Sequence, residues 1–248
     1  MTRPVELPIL PRTVTTDSQV TEPSVALLPI GSFEQHGPHL PLVTDTLVAA
    51  AISHTIAQAH PVRQLPPLTI SCSHEHAAFA GTLSISASTL AAIITDITES
   101  LHQQGIDRLL IVNGHGGNYV LSNVVQQANV APGASRMALF PARDDWADAR
   151  HSAGMTSDAP QDMHAGELET SILLAAYPDY LREGWQHDDH EALDRRQLLT
   201  LGIVAYSPTG VIGAPSAATA AKGHAALQRL AENSGKIMRT LNQISPEK

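Results

Sequence analysis

The sequence predicts an α/β fold built on a largely parallel sheet, and three observations carry that expectation. Short apolar runs alternate with longer helical ones along the chain, the pattern of strands joined by helical crossovers. Polar, glycine-bearing blocks fall directly after apolar runs, at the strand ends where such folds collect their ligands. With 248 residues and 43% apolar residues the chain buries one sizeable core, and nothing in it forces a division, so residues 1–248 are read as a single domain.

The elements follow in order. After an irregular, proline-bearing N-terminal segment, the run from Val25 to Ile30 reads as a short buried strand. A helix is expected from about Asp45 to about Ala59, then an extended stretch from Leu65 to Ile70. The next helix, from about Ser88 to Gln104, is opened by Ser88 or Thr89 and stopped by Gly105. Arg108 to Val112 is the clearest strand, and Tyr119 to Ala128 reads as the helix behind it. The segment from about Asp144 to Gln161 and the acidic run His187 to Glu191, with both of its histidines solvated, read as surface excursions. Aromatic residues make up only 4%, so Ala, Val, Leu and Ile must fill the core.

Charge and composition exclude several classes. A formal charge of -9 with no cluster of Lys and Arg argues against nucleic-acid phosphates and against an anionic membrane surface. No window approaches the roughly 18 consecutive apolar residues of a transmembrane helix, and no basic segment followed by an apolar one opens the chain. The single cysteine, Cys72, allows no internal disulfide and reads as a small buried hydrophobe in a reducing compartment, so a cytoplasmic location is expected.

Four constellations carry the chemistry. In Gly31 to Pro41, with Thr44-Asp45-Thr46 behind it, Glu34 and His36 stand two apart after a strand end and can face one point. Carboxylate oxygen and imidazole nitrogen together suit zinc, iron or manganese, whereas calcium takes oxygen alone. Asp45 reads either as a helix N-cap or as a further ligand. In Asn113 to Asn118, three glycines surround His115, and Gly116 and Gly117 let a bound molecule approach the backbone closely. No phosphate-loop spacing accompanies them. In Asp162 to Ser171, a helix starting near His164 would put His164 and Glu167 on one face, with Glu169 nearly opposite as a first-turn carboxylate or a supporting group. In Ser73 to Thr82, His76 is a candidate for the pocket and His74 for the surface.

Together these four blocks, spread over residues from about 22 to about 225, resemble the creatininase family of metal-dependent amidohydrolases. The resemblance implies a three-layer α/β/α sandwich, two divalent metal ions per chain and a homo-oligomer, often a hexamer. It implies Glu34, Asp45 and His115 on one ion, and His36, Asp45 and a further carboxylate on the other, with Asp45 bridging. In creatinine-hydrolysing members that carboxylate follows the Asn-Gly-His element. Here Gly117 stands at that place, and Glu167 is the substitute the sequence offers. This departure points away from creatinine as the substrate. The late segments Thr209 to Pro215 and Ala217 to Gly223 resemble the mycofactocin-precursor peptidase branch.

Charge supports a pair of metals independently. Glu34, Asp45 and Glu167 return three of the four positive charges of two divalent cations, leaving one for a bridging hydroxide. The expected reaction is hydrolysis of a C–N amide bond in a small cyclic amide, a formamide or a short peptide. Glu34 and His164 are the candidate catalytic residues, His164 protonating the departing nitrogen. His76, Gly116 and Gly117 are the candidate substrate contacts. Zinc is the first choice of metal, with manganese and iron as alternatives. A non-catalytic, metal-stabilised binding protein is the reading from a different class. Structural zinc sites, however, are usually closed by Cys-rich sets of four ligands, and this chain has one Cys.

Overall fold

A computed structural model describes residues 7–20, 23–130 and 135–243. The described elements run α1 (Thr15–Val20), β1 (Ala26–Ile30), α2 (Thr44–Ala59), β2 (Arg63–Gln64), α3 (Ala87–Gln103), β3 (Arg108–Asn113), α4 (Val120–Val130), β4 (Arg136–Phe140), α5 (Arg143–Ser152), α6 (Glu167–Ala176), α7 (Leu198–Leu201) and α8 (Ala220–Gln243). The four strands form one sheet in the order β2-β1-β3-β4, every neighbouring pair parallel.

Alternation along the strands divides the core into two layers. Leu27, Leu110, Val112, Ala138 and Phe140 point to one face, where α2, α5, α6 and α8 cover them. Ala26, Leu28, Leu109, Ile111 and Met137 point to the other, under α3 and α4. The result is a three-layer α/β/α sandwich. Its two central strands are buried on both sides, which is why β1 and β3 read as apolar runs.

Expected boundaries shift by a residue or two where caps decide them. Ser86, not Ser88 or Thr89, caps α3: its side chain accepts from the Thr89 N–H at 3.1 Å, and Gly105 closes the far end with a φ of +78°. The stretch from Leu65 to Ile70 forms no strand beyond a single bridge of Leu68 to Ile30, because Pro66 and Pro67 have no N–H to give a ladder. Its place at the sheet edge is taken by the two-residue β2. The excursion expected from Asp144 is in its first part the helix α5, with Ala149 and Arg150 buried. In the acidic run His187 is exposed, but His190 is half-buried and donates to the Tyr206 carbonyl oxygen at 2.8 Å. Neither β4 nor α8 was anticipated from the sequence.

Candidate metal centre

Two strand ends, the first turn of α2 and one corner supply the site. The chain leaving β1 turns at Gly31 and carries Glu34 and His36 past the first turn of α2, where Asp45 sits. His115 follows β3. All four are buried. Asp45 is not the N-cap of α2, a position held by Val43. Its Oδ2 instead accepts from Ser32 Oγ at 2.7 Å and lies 2.8 Å from His115 Nδ1, while its Oδ1 lies 3.0 Å from His36 Nε2. Each imidazole is oriented from behind, His36 donating through Nδ1 to the Glu34 carbonyl at 3.1 Å and His115 through Nε2 to the Cys72 carbonyl at 2.7 Å. Such backing fixes which nitrogen faces a metal.

Among the described residues three groups have ligand atoms close enough to hold one ion: Glu34 with Asp45 and His115, His36 with Asp45 and Glu169, and Glu34 with His36 and His164. Both carboxylate oxygens of Glu34 are buried without a hydrogen-bond partner. A buried carboxylate left in that state is costly unless a cation satisfies it, so this donor set fits a divalent metal.

Protonation points the same way. Burial pushes Glu34 up to about 8, against the pull of the His115 charge. Burial would lower His36 and His115, but the Asp45 charge raises His36 to about 9, and the Glu34 and Asp45 charges raise His115 to about 10. Burial would raise Asp45, yet the two imidazolium charges beside it hold it well below the usual range. Metal-free, the cluster keeps protons where a divalent cation would displace them.

The 162–169 corner departs from expectation, and Glu167 is the correction. His164 does not belong to α6. It pairs antiparallel with Ile212, Ala165 adopts a left-handed φ of +53°, and the helix begins only at Glu167. Helical spacing therefore never applies between His164 and Glu167. Glu167 turns away from the cluster, and its Oε1 lies 2.5 Å from Lys222 Nζ while its Oε2 accepts from Ser157 Oγ at 2.5 Å. Glu169 turns inward to 4.0 Å from His36 Nε2, and its Oε2 also accepts from the Ala165 N–H at 2.6 Å. Burial raises Glu169 to about 7.

His164 and His76 close the cluster from above, their ring centroids 4.4 Å apart, with His164 4.1 Å from His36. His164 Nε2 donates to the Gln35 carbonyl at 2.7 Å, leaving Nδ1 on the cluster side, 3.9 Å from Glu34 Oε1. Burial, then the charges of His36 and His76, hold His164 well below the ordinary imidazole range. His76 lies 3.2 Å from Glu34 Oε1, and burial lowers it to about 3. His74 is exposed.

Two cavities flank the turn after β3. One, of about 340 Å³, is lined by His115, Gly116, His164, Glu169, Trp146 and Arg143. The other contains Gly117 and Glu75. A Cβ on residue 117 would run into Glu75 Oε1, so the space a side chain there would take is filled by a carboxylate from another loop, 3.8 Å from His115 Nε2. Sequence reasoning assigned Glu75 no role, and it missed Asp162 and Gln35 as well. Asp162 caps α6 through the Glu167 N–H at 2.5 Å and the Leu168 N–H at 3.0 Å, and pairs with Arg150 at 2.7 Å. An Asp shortly ahead of an apolar helical run was the available signal.

Residues 13–238 match the family model described as creatininase, creatinine amidohydrolase. The mycofactocin precursor peptide peptidase of Mycobacterium ulcerans (strain Agy99) is 39% identical over 222 residues, covering 84% of this chain and 82% of that protein. The creatinine amidohydrolase of Pseudomonas putida is 28% identical over 171 residues, covering 62% of this chain and 65% of that one. Among solved structures, a creatininase variant superimposes with a TM-score of 0.78 at 22% identity, covering 92% of this chain and 96% of its own. No helix among the described residues is long and apolar enough to cross a membrane. The matched family, the peptidase relatives and the buried histidine-carboxylate cluster at the strand ends agree: this chain belongs to the creatininase family of amidohydrolases, hydrolases of C–N amide bonds.

Proposed function

We propose that this chain is a binuclear metal-dependent amidohydrolase that cleaves an amide bond in a short peptide. The observation that carries the proposal is the sharing of Asp45 between two ligand groups around a Glu34 carboxylate whose oxygens are buried and unsatisfied. Glu34, Asp45 and His115 would hold one ion, and His36, Asp45 and Glu169 the other. Glu169 thus takes the place that sequence reasoning gave to Glu167, and the three carboxylates still return three of four positive charges. Zinc is the metal taken forward, and a homo-oligomer, a hexamer by family resemblance, is the assembly. A cytoplasmic location goes with the single reduced cysteine.

Bound ions would supply an activated water and polarise the amide carbonyl. The chain's own residues do the rest. His164 is kept neutral by burial, and its Nδ1 faces the cluster while Nε2 is committed to Gln35. It accepts the proton of the attacking water and passes it to the leaving nitrogen. His76 and the backbone at Gly116 and Gly117 line the approach, and the Glu75 carboxylate fills the space beside Gly117. A peptide is favoured over creatinine by the 39% identity to a mycofactocin precursor peptide peptidase.

The test is elemental analysis of protein purified without chelator, followed by a hydrolysis screen over creatinine, lactams, formamides and short peptides. Two divalent ions per chain and turnover confined to peptides are expected. A single ion, or turnover confined to creatinine, overturns the proposal. Chelation should abolish turnover before it unfolds the protein. Unfolding first would mean a structural metal in a binding protein.

A further inference from the structure

We infer that Arg143 is the residue that reads a carboxylate on the substrate. The inference rests on the peptide-hydrolase reading above and deepens it by naming what the site recognises. Arg143 is the first residue of α5 and lines the 340 Å³ cavity that also holds His115, His164 and Glu169. Two arginines reach that cavity, and they differ in what they already hold. Arg150 is buried and spent: its Nη1 donates to Asp162 Oδ2 at 2.7 Å and its Nη2 to the Asp162 carbonyl at 2.8 Å. Arg143 is exposed and makes no hydrogen bond or ion pair among the described residues. Asp144 and Asp145 share its helical turn, yet neither pairs with it, and Asp145 is turned back to accept the Ala142 N–H at 2.9 Å.

The position is unfavourable for a cation left to itself. A guanidinium in the first turn of a helix opposes the positive end of the helix dipole, and the turn becomes favourable when an anion joins it. Guanidinium geometry matches a carboxylate in two parallel hydrogen bonds. Trp146, half-buried against the main core and three residues along the same helix, gives the cavity an aromatic wall beside the charge. A free carboxylate next to an apolar side chain is what a peptide end offers. With three of the four metal charges returned by Glu34, Asp45 and Glu169 and the fourth by a hydroxide, Arg143 is the unspent positive charge of this cavity.

The experiment compares two N-acetylated short peptides identical except that one ends in a free carboxylate and the other in a carboxamide, with metal-loaded wild type, Arg143→Gln and Arg143→Lys. Wild type should favour the free acid through KM by roughly 10- to 100-fold, the worth of hydrogen bonds to a charged group. Arg143→Gln should remove that preference by losing the acid alone, with metal content and kcat on the carboxamide unchanged. Arg143→Lys should keep part of it. A wild type that treats both peptides alike, or an Arg143→Gln variant that loses both equally, overturns the inference while leaving the hydrolase reading intact. If wild type cleaves neither peptide, the peptide-hydrolase reading fails, and titration calorimetry decides the anchor by itself. Tighter binding of the acid by wild type than by Arg143→Gln supports it, and equal binding overturns it.

Discussion

The corner from Gly31 to Asp45 and the corner from Asp162 to Glu169 both feed the same cluster, but they are built on different principles. The first is a strand end running into a helix, and its residues meet because alternation and a close turn put them on one side: Glu34, His36 and Asp45 all reach the centre. The second is an irregular segment clamped by capping. Asp162 takes the Glu167 and Leu168 N–H groups and Arg150, His164 is held by Ile212, and α6 begins three residues later than its sequence suggests. Periodic structure announces its facing side chains. A clamped corner does not, because the partners that set its geometry lie far away in the chain.

Four measurements break or sharpen this contrast, in descending order of effect. Asp45→Asn should empty both metal positions and reduce hydrolysis to that of the chelated protein, read by elemental analysis and kcat/KM. One ion that survives with activity would remove Asp45 from the centre of the first corner. His164→Ala should keep both ions and lose roughly 10²–10⁴-fold in kcat, the range of general acid–base catalysis. The loss should shrink on an anilide with an electron-withdrawing ring, whose nitrogen leaves without full protonation. Loss of an ion instead would make His164 a ligand, so that the second corner supplies two.

The two glutamates of α6 form the sharpest pair. Glu169→Gln should weaken one ion by roughly 100-fold or more, since loss of even a supporting partner costs 10- to 100-fold. Glu167→Gln should leave both ions in place. The reverse result would restore the helical phase expected from the sequence. The smallest effect on turnover belongs to Lys222→Met, whose cost falls on stability. It strands a buried carboxylate, worth about 3 kcal/mol in chemical denaturation. Lys222 and Ser157 hold Glu167 below its ordinary 4.5 despite burial, so the pair contributes fully above that pH and its contribution fades as pH falls further. The stability gap between wild type and Lys222→Met should narrow on acidification below 4.5. A constant gap would mean that packing, not charge, carries the effect.

Much of this was legible in the sequence. β1, β3 and α2 declared themselves because buried parallel strands are apolar runs and because α2 is long. Glu34, His36 and His115 stood out as chemically coherent residue types placed soon after strands, and Asp45 as a carboxylate at the start of a helix. Leu65 to Ile70 misled because an apolar run with two prolines has the composition of a strand without the donors for one. Glu167 misled because the helix start was placed at His164, and a start moved by three residues reassigns which glutamate faces inward. Glu75 was invisible because its place beside Gly117 is a meeting of loops more than forty residues apart, which no local pattern encodes.

Gly114, between β3 and His115, has a further consequence. A Cβ there would collide with the Asp45 backbone carbonyl and crowd Ala49, so β3 abuts the first turn of α2 with no room for a side chain. In a saturation library scored for folding, residue 114 should therefore tolerate glycine alone, although it offers no group to metal or substrate. Residues around the cavity rim, Arg143 among them, should accept many replacements and lose only selectivity. A laboratory wishing to redirect this enzyme to another amide should randomise the rim and leave residue 114 out of the library.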